Sequence, residues 1–150
     1  MKLYHHPLAP NPRRVRIFAA EKGIELSLEE VDILAGQSRT PEFLAKNSSG
    51  AVPVLELDEG SYLSESVAIC RYLEGLQPEP NLLGRDLSEQ VEIERWNRRI
   101  ELELFAPIAR SNIFVQSAGA PSDNPAMSLD RQAKIIALDQ FAATAMDRRR

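Results

Sequence analysis

Hydrophobic and polar positions follow two rhythms along the first half of the chain, and the switches between them mark its elements. Lys2 to His5 reads as a short strand. His6 to Pro12 is a loop punctuated by prolines, in which Asn11 and Pro12 form a suitable N-cap and N1 pair. The helix they open runs to Lys22 with Gly23 at C′, and its buried stripe should include Val15, Phe18 and Ala19. Ile24 to Ile33 is a second strand region and Leu34 to Arg39 a loop. Thr40-Pro41-Glu42-Phe43 repeats the cap-and-proline logic for a short helix ending near Asn47. Val52-Pro53-Val54-Leu55 places a proline at the mouth of a β-branched run, and Glu56 to Leu63 reads as a hairpin around Asp58-Glu59-Gly60. From Ser66 onward, Val67, Cys70 and Leu73, flanked by Ile69 and Leu76, form a helical stripe.

The order is βαβαββα, a thioredoxin-like α/β arrangement with a parallel half and an antiparallel half. Residues 1–76 are therefore expected to form one domain. The polar, proline-bearing Gln77-Pro78-Glu79-Pro80-Asn81 stops the preceding helix, and 77–85 reads as a linker. Residues 86–150 change character to all-α. Asp86 or Ser88 caps a run to about Gln116 that Pro107 should kink; Ser117 to Met127 is a loop; Ser128-Leu129-Asp130 starts a helix that reaches Arg150 without a stop signal. Two long helices cannot close a bundle core unaided, so this all-α part is expected to be incomplete.

Composition narrows the function classes. At 43% hydrophobic, 27% charged and net charge −4, the 150 residues are ordinary for a globular protein and unsuited to nucleic acid as a main partner. No apolar run is long enough for a membrane span. The single cysteine excludes a disulfide framework and makes a reducing cytosol the expected compartment.

Two places carry candidate chemistry. Proline cannot donate to a sheet ladder, so Pro53 belongs at a strand start. The Val52–Pro53 bond is open to either isomer, the cis form costing only about 0.5–1 kcal/mol. In that form the N–H and C=O of Val52 face sideways, free to pair with an extended ligand. Further on, Ser64-Glu65-Ser66 sits where a helix must begin. A helix N-terminus attracts carboxylates, and Ser66 adds a hydroxyl there. Glu65 fits beside it if the ligand also presents an α-amino group. Simple capping by Ser64 explains the same triplet.

The order VP-x-L, hairpin, ESxAIxxYL resembles the N-terminal domain of cytosolic glutathione transferases, in their bacterial theta-, beta- or nu-like branches. The likeness extends over nearly the whole chain. It implies a cis Pro53, backbone pairing of Val52 with the cysteinyl part of glutathione, and Glu65 and Ser66 holding the γ-glutamyl end. It further implies glutathione as co-substrate, no metal, an electrophilic small molecule as second substrate, and a homodimer. The dimer would form through the third helix and the long helix after Ser88. Gln37 and Asn47 flank the second helix and could reach the glycyl end.

The sulfur end departs from the resemblance. Ala9-Pro10-Asn11-Pro12 excludes dithiol chemistry, which needs Cys-x-x-Cys. Serine-type members carry their hydroxyl where this chain has Ala9. Asn11 resembles the asparagine of a Thr-Pro-Asn loop in bacterial members acting on glutathione disulfides, and its amide could donate to sulfur. Its other role is to cap the helix. His5 lies near the tyrosine of tyrosine-type members, or is an exposed strand end. Backbone N–H groups at the helix start are a third possibility. Arg13, Arg14 and Arg16 read mostly as a solvated face, and Cys70 as a packing residue. The leading expectation is a glutathione transferase. A glutathione-dependent disulfide reductase or isomerase, and a non-catalytic glutathione-binding module, are the alternatives.

Overall fold

The computed structural model describes residues 1–108. The expected helix end at Gln116, the loop Ser117 to Met127 and the helix from Ser128 lie outside the described residues. The first compact unit is Met1–Leu83, and a second begins at Gly84.

In the first unit the elements are β1 (Lys2–His5), α1 (Pro10–Glu21), β2 (Ser27–Glu30), a 3-10 turn (Gln37–Arg39), α2 (Pro41–Leu44), β3 (Val54–Glu56), β4 (Tyr62–Ser64) and α3 (Ser66–Leu76). The sheet order is β2-β1-β3-β4. β1 pairs with β2 in parallel, Leu3 opposite Leu28, and with β3 antiparallel, Leu3 opposite Leu55. This is the expected thioredoxin-like arrangement. The alternation of β1 and β3 divides the core. Leu3 and Leu55 meet Val15 and Ala19 of α1 and Ile69, Cys70 and Leu73 of α3. Tyr4 and Val54 point the other way, toward Phe43 of α2 and Val31. Fully buried Leu3, Leu55, Ile69 and Leu73 contribute roughly 1.5–3 kcal/mol each.

Three expectations need correction here. β2 spans fewer residues than the strand region expected, and its side chains are exposed, as an edge strand with little covering it would be. The buried stripe of α3 is Ser66, Ile69, Cys70 and Leu73, with Val67 off its centre and Leu76 51% exposed. In α1, Pro12 joins Val15 and Ala19, while Phe18 is half-buried at the margin of the core.

Two glycines are required by geometry. Gly60, at φ +87°, closes the hairpin, donating its N–H to the carbonyl of Leu57 at 2.9 Å. Gly50, at φ +63°, passes so close to the 3-10 turn that a Cβ would stand 2.5 Å from Arg39 Nη1. Arg39 also donates to the carbonyl of Ser49 at 2.9 Å, so the turn carrying Gln37 is tied to the loop leading to Val52.

Within the first unit, the segment after α3 is fastened by Lys22 and Glu74. The Lys22 side chain is fully buried, 2.5 Å from a carboxylate oxygen of Glu74, and donates to the carbonyls of Pro78 at 3.2 Å and Pro80 at 2.5 Å. Glu74 accepts the N–H groups of Leu82 and Leu83 at 3.0 and 3.3 Å. Burial alone would raise its carboxyl, but Lys22 and these two amides outweigh it and hold it below the ordinary value.

In the second unit α4 (Leu87–Arg99) starts at Asp86, not Ser88: Asp86 Oδ1 accepts the N–H of Glu89 at 2.9 Å, and Glu89 accepts the N–H of Arg85 at 2.8 Å. The helix widens into a π-helical stretch, Ile100–Phe105, immediately before Pro107. Pro107 offers no N–H and its ring opposes the carbonyl one turn back, so the change of register falls where the proline disrupts the ladder.

Candidate functional site

Two helix N-termini and one loop bring the sequence candidates into view. At α3, the N-cap is Glu65 rather than Ser64, which ends β4. Glu65 makes no side-chain cap and has φ +69° and ψ +112°, a conformation that costs a residue with a Cβ about 1–3 kcal/mol. Its carboxylate is left exposed at the helix mouth, and Ser66 behind it is 5% exposed. Among the described residues, the amides of Ser66, Val67 and Ala68 have no hydrogen-bond acceptor. An exposed acid, a hydroxyl and open helix amides thus stand side by side, an arrangement complementary to an α-amino acid zwitterion.

The sequence reading missed one member of this group. Arg14, half-buried in α1, donates from Nη1 to Ser66 Oγ at 2.6 Å and lies 3.5 Å from Asn11 Oδ1. Arg16 is also engaged, donating to the carbonyl of Pro7 at 2.8 Å. Of the basic cluster, Arg13 alone fits the solvated-face reading. Arg14 and Asn11 stand at helical i, i+3 spacing, a signal present in the sequence; its serine partner, far away along the chain, was not.

At α1 the expectation for Asn11 is corrected. The N-cap is Ala9 and the helix begins at Pro10, so Asn11 sits inside the first turn. Pro10 takes N1, where a missing N–H costs nothing, and Pro12 is also accommodated within the first turn. Prolines 10 and 12 have no N–H, and that of Ala9 is spent on the carbonyl of His6 at 3.1 Å. Of residues 9–12, this leaves Asn11 with the one open backbone amide, besides its side-chain NH₂.

The Val52–Pro53 bond is cis, and Pro53 is buried. Among the described residues neither the N–H nor the C=O of Val52 takes a hydrogen bond. Asn47 is committed to this loop: it donates to the carbonyl of Ala51 at 2.8 Å and accepts from the backbone and hydroxyl of Ser49. Gln37 is exposed, and its Oε1 accepts the N–H of Asp32 at 2.8 Å, while its NH₂ takes no partner among the described residues.

His5 is not an exposed strand end. It is 6% exposed, its Nδ1 has no partner among the described residues, and burial, then the charge of Arg16, lower its pKa. Neighbouring Tyr4 faces the opposite side of the sheet and donates to Glu56 at 2.7 Å; burial and then Glu56 raise its pKa. Burial pushes the Cys70 thiol up to about 11, as befits a packing residue. Among the described residues no group of His, Cys, Asp and Glu is placed to hold a metal ion, and no helix is long and apolar enough to cross a membrane.

Comparison with known proteins adds an independent line. Residues 3–81 match the family described as glutathione S-transferase, N-terminal domain. The chain is 43% identical over 111 residues to glutathione S-transferase 2 of Saccharomyces cerevisiae, covering 73% of this chain and 48% of that protein. It is 42% identical over 88 residues to maleylacetoacetate isomerase of Pseudomonas aeruginosa, covering 57% of this chain and 42% of that protein. The chain thus spans under half the length of these two relatives. The crystal structure of Gtt2 from Saccharomyces cerevisiae aligns with a TM-score of 0.79 at 34% identity, over 94% of this chain and 71% of that one.

Proposed function

The chain belongs to the glutathione S-transferase family, and from that premise we propose that the protein binds glutathione in its first unit and transfers the thiol to an electrophilic small molecule. The observation that carries the reading is the N-terminus of α3. Glu65 is held in a strained conformation with its acid exposed, beside the buried Ser66 hydroxyl and open amides. Strain of that kind persists where a ligand needs the geometry. In this reading Glu65 takes the α-amino group and Ser66 with the helix amides takes the α-carboxylate of the γ-glutamyl end. The backbone of Val52 pairs with the cysteinyl part, beside Pro53, and the Gln37 amide faces the glycyl end.

The sulfur then falls to Asn11. A thiolate is stabilised by any donor that favours its charge, and among residues 9–12 the donors left open are the backbone and side-chain amides of Asn11. His5 is read as a buried, neutral group, not as the donor. The reaction expected is attack of the bound thiolate on an electrophilic carbon. The thiol proton passes to solvent, the C–S bond forms, and the carbon–halogen bond of an aryl halide breaks, the halide leaving with its electron pair. A second reading, glutathione-dependent isomerisation, is favoured by the likeness to the Pseudomonas aeruginosa isomerase. The protein is further proposed to be cytosolic and homodimeric, using the exposed Leu76 of α3 and Leu87 and Val91 of α4.

The test is a glutathione titration of the full chain by calorimetry, followed by turnover of an aryl halide, a mixed glutathione disulfide and maleylacetoacetate, with sedimentation alongside. Saturable binding, aryl-halide turnover and a dimer are expected. Turnover of maleylacetoacetate alone moves the assignment to isomerisation, and of the disulfide alone to reduction. Binding without any turnover removes the enzyme, and absence of binding removes the whole reading.

A further inference from the structure

Arg14 is the side chain that joins the two helix N-termini. From α1 it sends Nη1 to Ser66 Oγ, 2.6 Å away on α3, and the same nitrogen lies at a longer 3.5 Å from Asn11 Oδ1. The bond to Ser66 is short and charge-assisted, the strong kind of hydrogen bond. Its direction matters more than its length. Because the serine oxygen accepts from Arg14, its own proton is left to donate elsewhere, and no acceptor for it exists among the described residues. The hydroxyl rotor is therefore set before any ligand arrives, with its oxygen toward the guanidinium and its proton turned away.

The contact with Asn11 works in the same sense. An arginine nitrogen near the amide oxygen favours that oxygen facing the guanidinium and leaves the NH₂ end free. One guanidinium thus sets the direction of a donor at each helix N-terminus. Its positive charge also lies beside the place where a carboxylate would meet the α3 amides. A lysine at position 14 would supply the charge, but as a strongly hydrated ammonium on a flexible stem, without the rigid planar group that fixes the direction of the Nη1 donor.

We propose that Arg14 is a positioning residue for ligand binding: it preorganises the Ser66 hydroxyl to donate to the α-carboxylate of a γ-glutamyl group and ties that subsite to Asn11. The proposal rests on glutathione being the ligand, and it assigns Arg14 no contact with the reacting sulfur. The competing role is a plain brace between α1 and α3, which would make Arg14 matter for folding and for nothing else.

The experiment uses the full chain and two thiol-free probes, S-methylglutathione and S-methylcysteinylglycine, which lacks the γ-glutamyl group. Arg14→Ala should weaken S-methylglutathione about ten- to a hundredfold. The shorter probe should change by less than about twofold, since a contact it does not use cannot couple to it. In a Ser66→Ala background the same substitution should cost no more than about threefold, because the two residues act as a unit. Arg14→Lys should recover only part of the loss. Should Arg14→Ala fail to fold, Arg14→Gln, which keeps the length and an amide donor, carries the same comparison. Equal weakening of both probes, fully additive losses with Ser66→Ala, or complete recovery by lysine would each overturn the proposal in favour of the brace. If the unsubstituted protein binds S-methylglutathione no better than the shorter probe, the glutathione reading itself fails before Arg14 is altered.

Discussion

The two helix N-termini of the first unit are built on opposite plans. At α3 nearly everything that a ligand could use is supplied: open amides, a buried hydroxyl oriented by Arg14, and an acid presented by a strained residue. At α1 nearly everything has been withdrawn. Two prolines remove N–H groups, Ala9 brings no hydroxyl and spends its amide on His6, and Asn11 remains. The contrast separates recognition from chemistry. Between these two termini, affinity should be set at α3, and reactivity by a single residue at α1.

Substitutions at α3 should break the comparison most forcefully. Ser66→Ala removes a hydrogen bond to a charged group, worth about 1.5–3 kcal/mol, so glutathione affinity should fall roughly ten- to hundredfold in calorimetry. Glu65→Gly should lose affinity on the same scale while its melting temperature holds or rises, since glycine adopts φ +69° without the Cβ penalty. Unchanged affinity in either variant, with folding intact, would place recognition elsewhere.

A smaller effect sharpens the α1 side. The folded state holds His5 below its ordinary pKa, because burial and Arg16 oppose its charge. Above about pH 6.5 the histidine is neutral whether folded or not, and it contributes no slope. Below that value the unfolded chain takes up the proton first, so stability is lost as pH falls toward the folded pKa. His5→Gln should flatten this part of the stability curve in denaturant titrations. Glutathione affinity at pH 7 should stay within about twofold, as it is uncoupled from α3. An acid limb unaltered by the substitution would mean that His5 is charged in the fold.

Much of the fold was legible because it rests on punctuation. Proline at strand and helix entries, Gly23 and Gly60 at turns, and alternation in β1 and β3 all act within a few residues of where they stand. The errors fall where tertiary contacts overrode local preference. Either Pro10 or Pro12 suits N1, and the sequence pattern chose Pro12 because Asn11 is a better cap than Ala9; the folded chain begins at Pro10. Capping rules favour Ser64 over Glu65, yet pairing with Val54 keeps Ser64 in β4, and the acid takes the cap with a positive φ. The site was half legible for the same reason. Val52, Pro53, Glu65 and Ser66 lie in short local motifs, whereas Arg14 acquires its meaning from an oxygen fifty-two residues away.

The central claim is that binding and thiol activation are separable, with Asn11 carrying the second. The direct measurement is an absorbance titration of the thiolate of bound glutathione against pH, in the unsubstituted chain and in Asn11→Ala. In the unsubstituted chain the bound thiol should ionise below free glutathione. In Asn11→Ala its pKa should rise by about one unit, which corresponds to about 1.4 kcal/mol, while affinity stays within roughly threefold. A pKa untouched by the substitution, or an affinity that collapses along with it, would contradict the account.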